Sequence, residues 1–164
     1  MKTNSVIADS KIRKATKDDA DNLFRLIDAL ADFEKLSRPD SEARKRFIND
    51  AFGANPKINI WLSEVDNKAV GYAIYFFTYS SFLARQTLYL EDIFVLPEYR
   101  SKGLGKILFK HCAQIALEEN CGRMEWQVLD WNKPAIDFYV KSGAKYMKEW
   151  LSFRFTREDL ERIV

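Results

Sequence analysis

Two adjacent carboxylates, Glu91 and Asp92, stand in an otherwise apolar, β-prone run from Thr87 to Leu96 that Pro97 stops. A charge inside a strand is costly unless it is used, and a carboxylate there can hold a cation or take a proton. The run leads into a basic turn, Arg100-Ser101-Lys102-Gly103-Leu104-Gly105, and then into an amphipathic helix expected from Lys106 to about Asn120. Arg100, Lys102, Lys106 and Lys110 face a single acid, Glu98, between Pro97 and Lys110. The unpaired N–H groups and dipole of a helix N-terminus favour negative charge, and Gly103 and Gly105 let backbone approach a pyrophosphate.

Two better-known phosphate motifs fail on this turn. A P-loop needs Ser or Thr after Gly-Lys, but Gly105-Lys106 is followed by Ile107. A dinucleotide fingerprint needs a third glycine where Leu108 stands, although Glu125 lies at a suitable distance for a ribose-binding acid. By itself the turn reads equally well as a basic, solvated loop with glycines for geometry.

The rest of the chain bounds what such a site could serve. Its 164 residues fit one domain, with 47% hydrophobic and 30% charged residues in the soluble globular range. A net charge of +2 gives no global field for nucleic acid or an anionic membrane. Cys112 and Cys121 lack zinc-ligand spacing and read as reduced packing residues, His111 reads as a helix-surface residue, and no metal is expected. The apolar stretches Val6 to Ala8 and Ala69 to Phe77 are too short for a secretory signal or a membrane span, so the expected location is the cytoplasm.

To position the carboxylates and the turn, the sequence offers alternating strands and amphipathic helices. After a loose start over residues 1–10 come a strand near Lys11 to Ala15 and a Thr16/Asp19 capping signal opening a helix to about Phe33. A second helix runs from Ser41 to Phe52, and a hairpin follows over Ile58 to Val65 and Val70 to Tyr79, turned by Asp66-Asn67-Lys68. Beyond the central strand and helix, Arg123 to Leu129 reads as a strand and Asn132-Lys133-Pro134 opens a helix ended by Gly143. Two strands, Ala144 to Trp150 and Leu151 to Phe155, and a charged turn from Thr156 to Val164 complete the reading. The implied fold is α/β: a mixed, mostly antiparallel central sheet with helices on both faces and one parallel strand-helix-strand unit over residues 87–129.

The segments YLEDIFVLPEYRSKGLG and EWQVLDWNKPAIDFYVKSGA together resemble the GNAT superfamily of acetyl-CoA-dependent N-acetyltransferases, whose Arg/Gln-x-x-Gly-x-Gly/Ala signature matches Arg100 to Gly105. The chain from Ile12 to Phe155 is similar, more narrowly, to the diamine (spermidine/spermine) and thialysine acetyltransferases. The resemblance implies acetyl-CoA as co-substrate, with backbone of Ile93, Phe94 and Val95 along its pantetheine arm. Ser101, Lys102, Gly103, Leu104, Gly105 and Lys106 would lie on the pyrophosphate, with Arg100 also binding the cofactor, and Asn132, Ala135 and Tyr139 further along. It implies Tyr139 as general acid, a homodimer, and a small amine acceptor met by Phe33, Glu34, Glu91, Asp92, Glu125, Trp126 and Gln127. One departure stands out: Ser80-Ser81 replaces an acid of the polyamine enzymes, which favours a shorter amine or a lysine analogue.

The chemistry follows from the groups. An alkylamine with a pKa near ~10.4 arrives protonated, so a base must act, and Glu91, directly or through a water, is the choice. Asp92 points to the opposite face of a regular strand unless a bulge intervenes, and a bulge would also free N–H groups near Ile93 and Phe94 for an oxyanion. Against this, either carboxylate could be structural, paired with Arg85 or Arg123. Other readings are a protein N-acetyltransferase, opposed by the bulk of Phe82 and Trp150, and a non-catalytic acyl-CoA sensor; nucleic-acid binding has least support.

Overall fold

The alternation of the hairpin segment and its Asp-Asn turn create the sheet's backbone frame: β2 (Asn59–Val65) returns as β3 (Lys68–Ser80). Asp66 and Asn67 take φ of 51° and 59° at that turn, the left-handed pair that matches strand twist and that Asn and Asp tolerate. The computed structural model describes residues 10–164, so the loose start expected over residues 1–10 falls outside it except for Ser10.

β1 (Ser10–Lys14) pairs with β2, and β4 (Arg85–Val95) with β3, all antiparallel; β5 (Arg123–Trp126) adds to β4 in parallel, giving the order β1-β2-β3-β4-β5. The helix α1 (Ala20–Glu34) follows a short 3-10 turn at which Thr16 and Asp19 form the expected capping box, and α2 (Ser41–Phe52) is capped by Asp40 accepting from the Ala43 N–H. Both helices cover one face, where Leu23, Leu26 and Ala51 meet Leu62, Tyr72, Ile74 and Phe94. On the other face α3 (Leu104–Glu118) packs Leu104, Leu108, Cys112 and Ile115 against Ala73, Tyr75, Leu88 and Leu90. The expected mixed sheet with helices on both faces is present. His111, expected on the helix surface, instead shares the inward stripe of α3, its ring 4.1 Å from that of Trp61.

The chain forms two compact units, Met1–Gln127 and Val128–Val164. The second holds α4 (Lys133–Lys141), opened by Asn132 and Pro134 as expected, and α5 (Arg157–Ile163), a capped helix where the sequence suggested a turn. β5 ends at Trp126, three residues short of expectation, and no ladder forms over 144–150 or 151–155 among the described residues. Aromatic alternation supplies side chains for a strand but no neighbouring N–H and C=O groups. Trp150 and Phe153 are accordingly exposed rather than packed in a sheet. No helix among the described residues is long and apolar enough to cross a membrane.

Candidate active site

One extra residue in β4 organises the site. Leu90 pairs with Tyr75 and Asp92 with Ile74, so Glu91 has no counterpart on β3 and forms a β-bulge. Leu88 and Leu90 lie on the α3 face; without the bulge Asp92 would follow them there. The insertion turns Asp92 to the opposite face, beside Tyr72 and Phe94, and leaves Glu91 exposed. The bulge that the sequence made conditional is present, and the two carboxylates emerge in different environments.

The bulge also marks where the sheet splits. β4 pairs with β5 only from Thr87 to Leu90, while its ladder with β3 continues to Val95. The Leu96 N–H bonds to the Val70 carbonyl at 2.9 Å, which by strand alternation directs Phe94 into the β3 ladder and turns the backbone groups of Ile93 and Val95 toward the open edge, where the Arg100 side chain takes the Val95 carbonyl. An extended ligand lying along that edge would meet Ile93 and Val95, whereas the backbone of Phe94 is engaged in the sheet.

Three carboxylates converge near the bulge. Glu34 is the last residue of α1, which Lys35 closes at φ 59°. Burial raises the Glu34 pKa. Asp92 is pushed up to about 6, first by burial and then by the charge of Glu91, with a further push from Glu34; a hydrogen bond from the Tyr72 hydroxyl, 3.3 Å away, opposes them. Neither Arg85 nor Arg123 neutralises the pair: Arg85 donates to Asn120, and Arg123 pairs with Glu125 at 3.0 Å. Among the described residues, Glu34, Glu91 and Asp92 enter no ion pair, an arrangement that attracts a cation. A separate depression lined by Asp28, Asp32, Arg38 and Arg44 offers no such charge, because Arg38 pairs with Asp32 and Arg44 with Asp28.

The anion side lies at the start of α3. Ser101 and Gly103 have φ of 59° and 84°, and Gly103 precedes a helix whose first N–H groups no side chain caps. A Cβ on Gly105 would meet only Val95 Cγ2 at 3.9 Å, so the backbone there is approachable. Lys106 is exposed, and Lys102 donates to the Glu98 carbonyl. Leu104 is 2% exposed and can offer only backbone. Arg100 is placed differently from a free phosphate ligand. Its Nε donates to the Val95 carbonyl at 2.8 Å, and its guanidinium lies over the rings of Phe33 and Phe94, 4.7 and 5.3 Å from their centroids. Burial lowers its pKa. It joins the turn to Phe33, which the resemblance assigns to the acceptor. The open strand edge and the uncapped helix start fit an extended, pyrophosphate-bearing co-substrate.

The remaining expected residues divide. Glu125 is held by Arg123, Trp126 packs its ring edge-on to Phe109, and Gln127 is exposed just past β5. In the second unit, the Asn132 side chain accepts from the Ala135 N–H as the cap of α4, Ala135 is half-buried, and Tyr139 packs against Phe138. Burial pushes the Tyr139 phenol up to about 12. The sequence reading missed Tyr72; its relation to Asp92 becomes visible only once the register shift is known.

Comparisons with known proteins identify the family and the fold. The acetyltransferase (GNAT) family model matches residues 23–144. A thialysine N-epsilon-acetyltransferase from Mus musculus is 37% identical over 168 residues, covering 96% of this chain and 98% of that protein. The spermidine/spermine N(1)-acetyltransferase-like protein 1 of Homo sapiens is 34% identical, covering 92% of this chain and 23% of that longer protein. Among solved structures, an integron cassette protein from the mobile metagenome of V. cholerae superposes with a TM-score of 0.80 at 24% identity, covering 94% and 97% of the two chains, a likeness of fold.

Proposed function

The chain belongs to the acetyltransferase (GNAT) family and is an N-acetyltransferase, and from that premise we propose that it acetylates the primary amine of a small cationic acceptor, a diamine, polyamine or lysine-like amino acid, by direct attack in a ternary complex. The observation that carries the acceptor class is the convergence of Glu34, Glu91 and Asp92 without a basic partner, beside an open strand edge. Acetyl-CoA supplies the activated acetyl group. Ile93 and the N–H of Val95 present backbone groups along the open edge, and the N–H groups opening α3, with Lys106, hold phosphate charge.

In this reading Asp92 and Glu34 receive the acceptor's ammonium, and Glu91, exposed on the bulge, takes the proton directly or through a water. An outward-facing N–H of β4 meets negative charge as it develops. Tyr139 supplies the proton needed at sulfur. Burial keeps the Tyr139 phenol protonated throughout the working pH range, so a proton is at hand for the sulfur as the C–S bond breaks, and the phenolate, a stronger base than a thiolate of pKa near ~8.5, recovers a proton from water. Ser80 supports a shorter or lysine-like acceptor, since it is buried and its Oγ accepts from the Leu83 N–H in the hairpin turn, offering no charge. The family match runs from the first compact unit into the second, ending at residue 144, which supports a single catalytic domain. A metal-free homodimer in the cytoplasm completes the proposal; exposed Tyr146, Trp150, Leu151 and Phe153 support the dimer.

Thiol release from acetyl-CoA with spermidine, spermine, putrescine, lysine, thialysine and peptides tests the acceptor class. Release is expected with the small amines; release with peptides alone would make it a protein acetyltransferase, and release with none despite acetyl-CoA binding would make it a sensor. Tyr139→Phe is expected to lower kcat about 100-fold or more and to leave acetyl-CoA affinity within about threefold. Unchanged turnover would remove Tyr139 from the reaction.

A further inference from the structure

Tyr72 is completely buried on β3, in the apolar cluster of Leu23, Leu26, Leu62, Ile74 and Phe94. A phenylalanine would suit such packing. The hydroxyl is the unusual atom, since a buried phenol needs a partner, and the partner here is Asp92 Oδ2 at 3.3 Å. The contact exists because of the bulge, which turns Asp92 away from the α3 face and onto the Tyr72 face. Phe94, tilted against Tyr72 with centroids 6.2 Å apart, occupies the next position on that face.

We propose that Tyr72 is a positioning residue of the acceptor site: its hydroxyl donates to Asp92 and holds that carboxylate charged and oriented for the acceptor's ammonium. The inference rests on the acceptor-site reading above. The direction of donation follows from chemistry. Burial raises the Tyr72 pKa, and the charge of Asp92 raises it further, so the phenol keeps its proton and the carboxylate accepts. Every other charged group facing Asp92 works the opposite way: Glu91 on its own strand and Glu34 from α1 both disfavour its ionisation. The nearby cation Arg100 is engaged with the Val95 carbonyl and with the rings of Phe33 and Phe94. Tyr72 therefore supplies the hydrogen bond that keeps an otherwise disfavoured charge available.

The test is the pH profile of kcat/KM for the best amine of the panel, measured on the full chain as wild type, Tyr72→Phe and Asp92→Asn. The wild type is expected to show an acid limb near 6, matching the Asp92 carboxyl. Tyr72→Phe should move that limb up by ~0.5–1 pH unit, giving about two- to fivefold lower kcat/KM at pH 6 and near convergence at pH 9. A purely structural hydroxyl would lower the profile evenly or change only thermal stability, and either result overturns the proposal. If the limb vanishes in Asp92→Asn but stays in place in Tyr72→Phe, the Tyr72 assignment alone fails. A limb that persists in Asp92→Asn removes Asp92 from the acceptor site and the inference with it. Should Tyr72→Phe fail to fold, Tyr72→3-fluorotyrosine, a stronger donor of similar shape, should move the limb down; no movement overturns the proposal.

Discussion

Asp19 and Asp92 are both largely withdrawn from solvent, yet the fold treats them in opposite ways. Asp19 receives both terminal nitrogens of Arg13 at 2.8 and 2.6 Å and the backbone and hydroxyl of Thr16 at 2.8 and 3.1 Å. Its carboxyl falls to about 2, chiefly because of the Arg13 hydrogen bonds. Arg13 also binds Glu64, so this cluster joins β1, β2 and the start of α1, with one guanidinium inside the chain shared by two carboxylates. Asp92 has one neutral donor, Tyr72, and faces two more acids, and it rises to about 6. A charge kept for structure is neutralised by the fold, whereas a charge kept for a cationic substrate is left for the substrate to neutralise.

The strongest way to break that contrast is to remove each charge without changing its shape. Asp92→Asn should lower kcat/KM for the amine by about 100- to 1000-fold at pH 8, where the carboxylate is otherwise fully ionised, because an ammonium would lose its partner at a water-poor position. Acetyl-CoA binding, followed by calorimetry, should be unaffected. Equal activity in wild type and variant would make Asp92 an ordinary strand carboxylate.

Asp19→Asn should show the complementary result. Asparagine would weaken the charge-assisted hydrogen bonds from Arg13, which Glu64 still neutralises, and should cost about 2 kcal/mol in urea unfolding, with the turnover of the folded fraction within about twofold of wild type. If turnover fell as far as in Asp92→Asn, the two carboxylates would not be separable into structural and functional kinds.

The same contrast explains what could be read from the chain. The turn Arg100 to Gly105, the helix after it and the strand before it were legible because glycine spacing, proline and amphipathic period are local signals. The Thr16/Asp19 capping box was legible for the same reason. The bulge at Glu91 was legible only as a condition, since register is set by both strands at once. Tyr72 lay beyond reach, 20 residues from Asp92 and joined to it across the ladder. Arg100 matched its motif, but nothing in the sequence indicated that its guanidinium would lie over Phe33 and Phe94. The strands expected over 144–155 failed because propensity was counted without a pairing partner.

The smallest expected effect separates the two acids by sign rather than size. The Asp92 carboxyl is raised from 3.8 to about 6 on folding, so between those values the folded chain holds a proton that the unfolded chain has lost. The stability it contributes is present below pH ~4 and is lost as pH rises through ~6. The Asp19 carboxyl is lowered from 3.8 to about 2, so its contribution is present above pH ~4 and is lost as pH falls through ~2. Asp92→Asn should therefore be more stable than wild type at pH 7, by about 1–2 kcal/mol once its partial exposure is allowed for, and the gain should vanish near pH 4. Asp19→Asn should be less stable at pH 7, with a deficit that closes only below pH ~4. Thermal unfolding of the three proteins from pH 3 to 8 reads both trends. An Asp92→Asn variant that gains nothing at pH 7 relative to pH 4 would mean that the fold already compensates this carboxylate, leaving no unmet charge for an amine to answer.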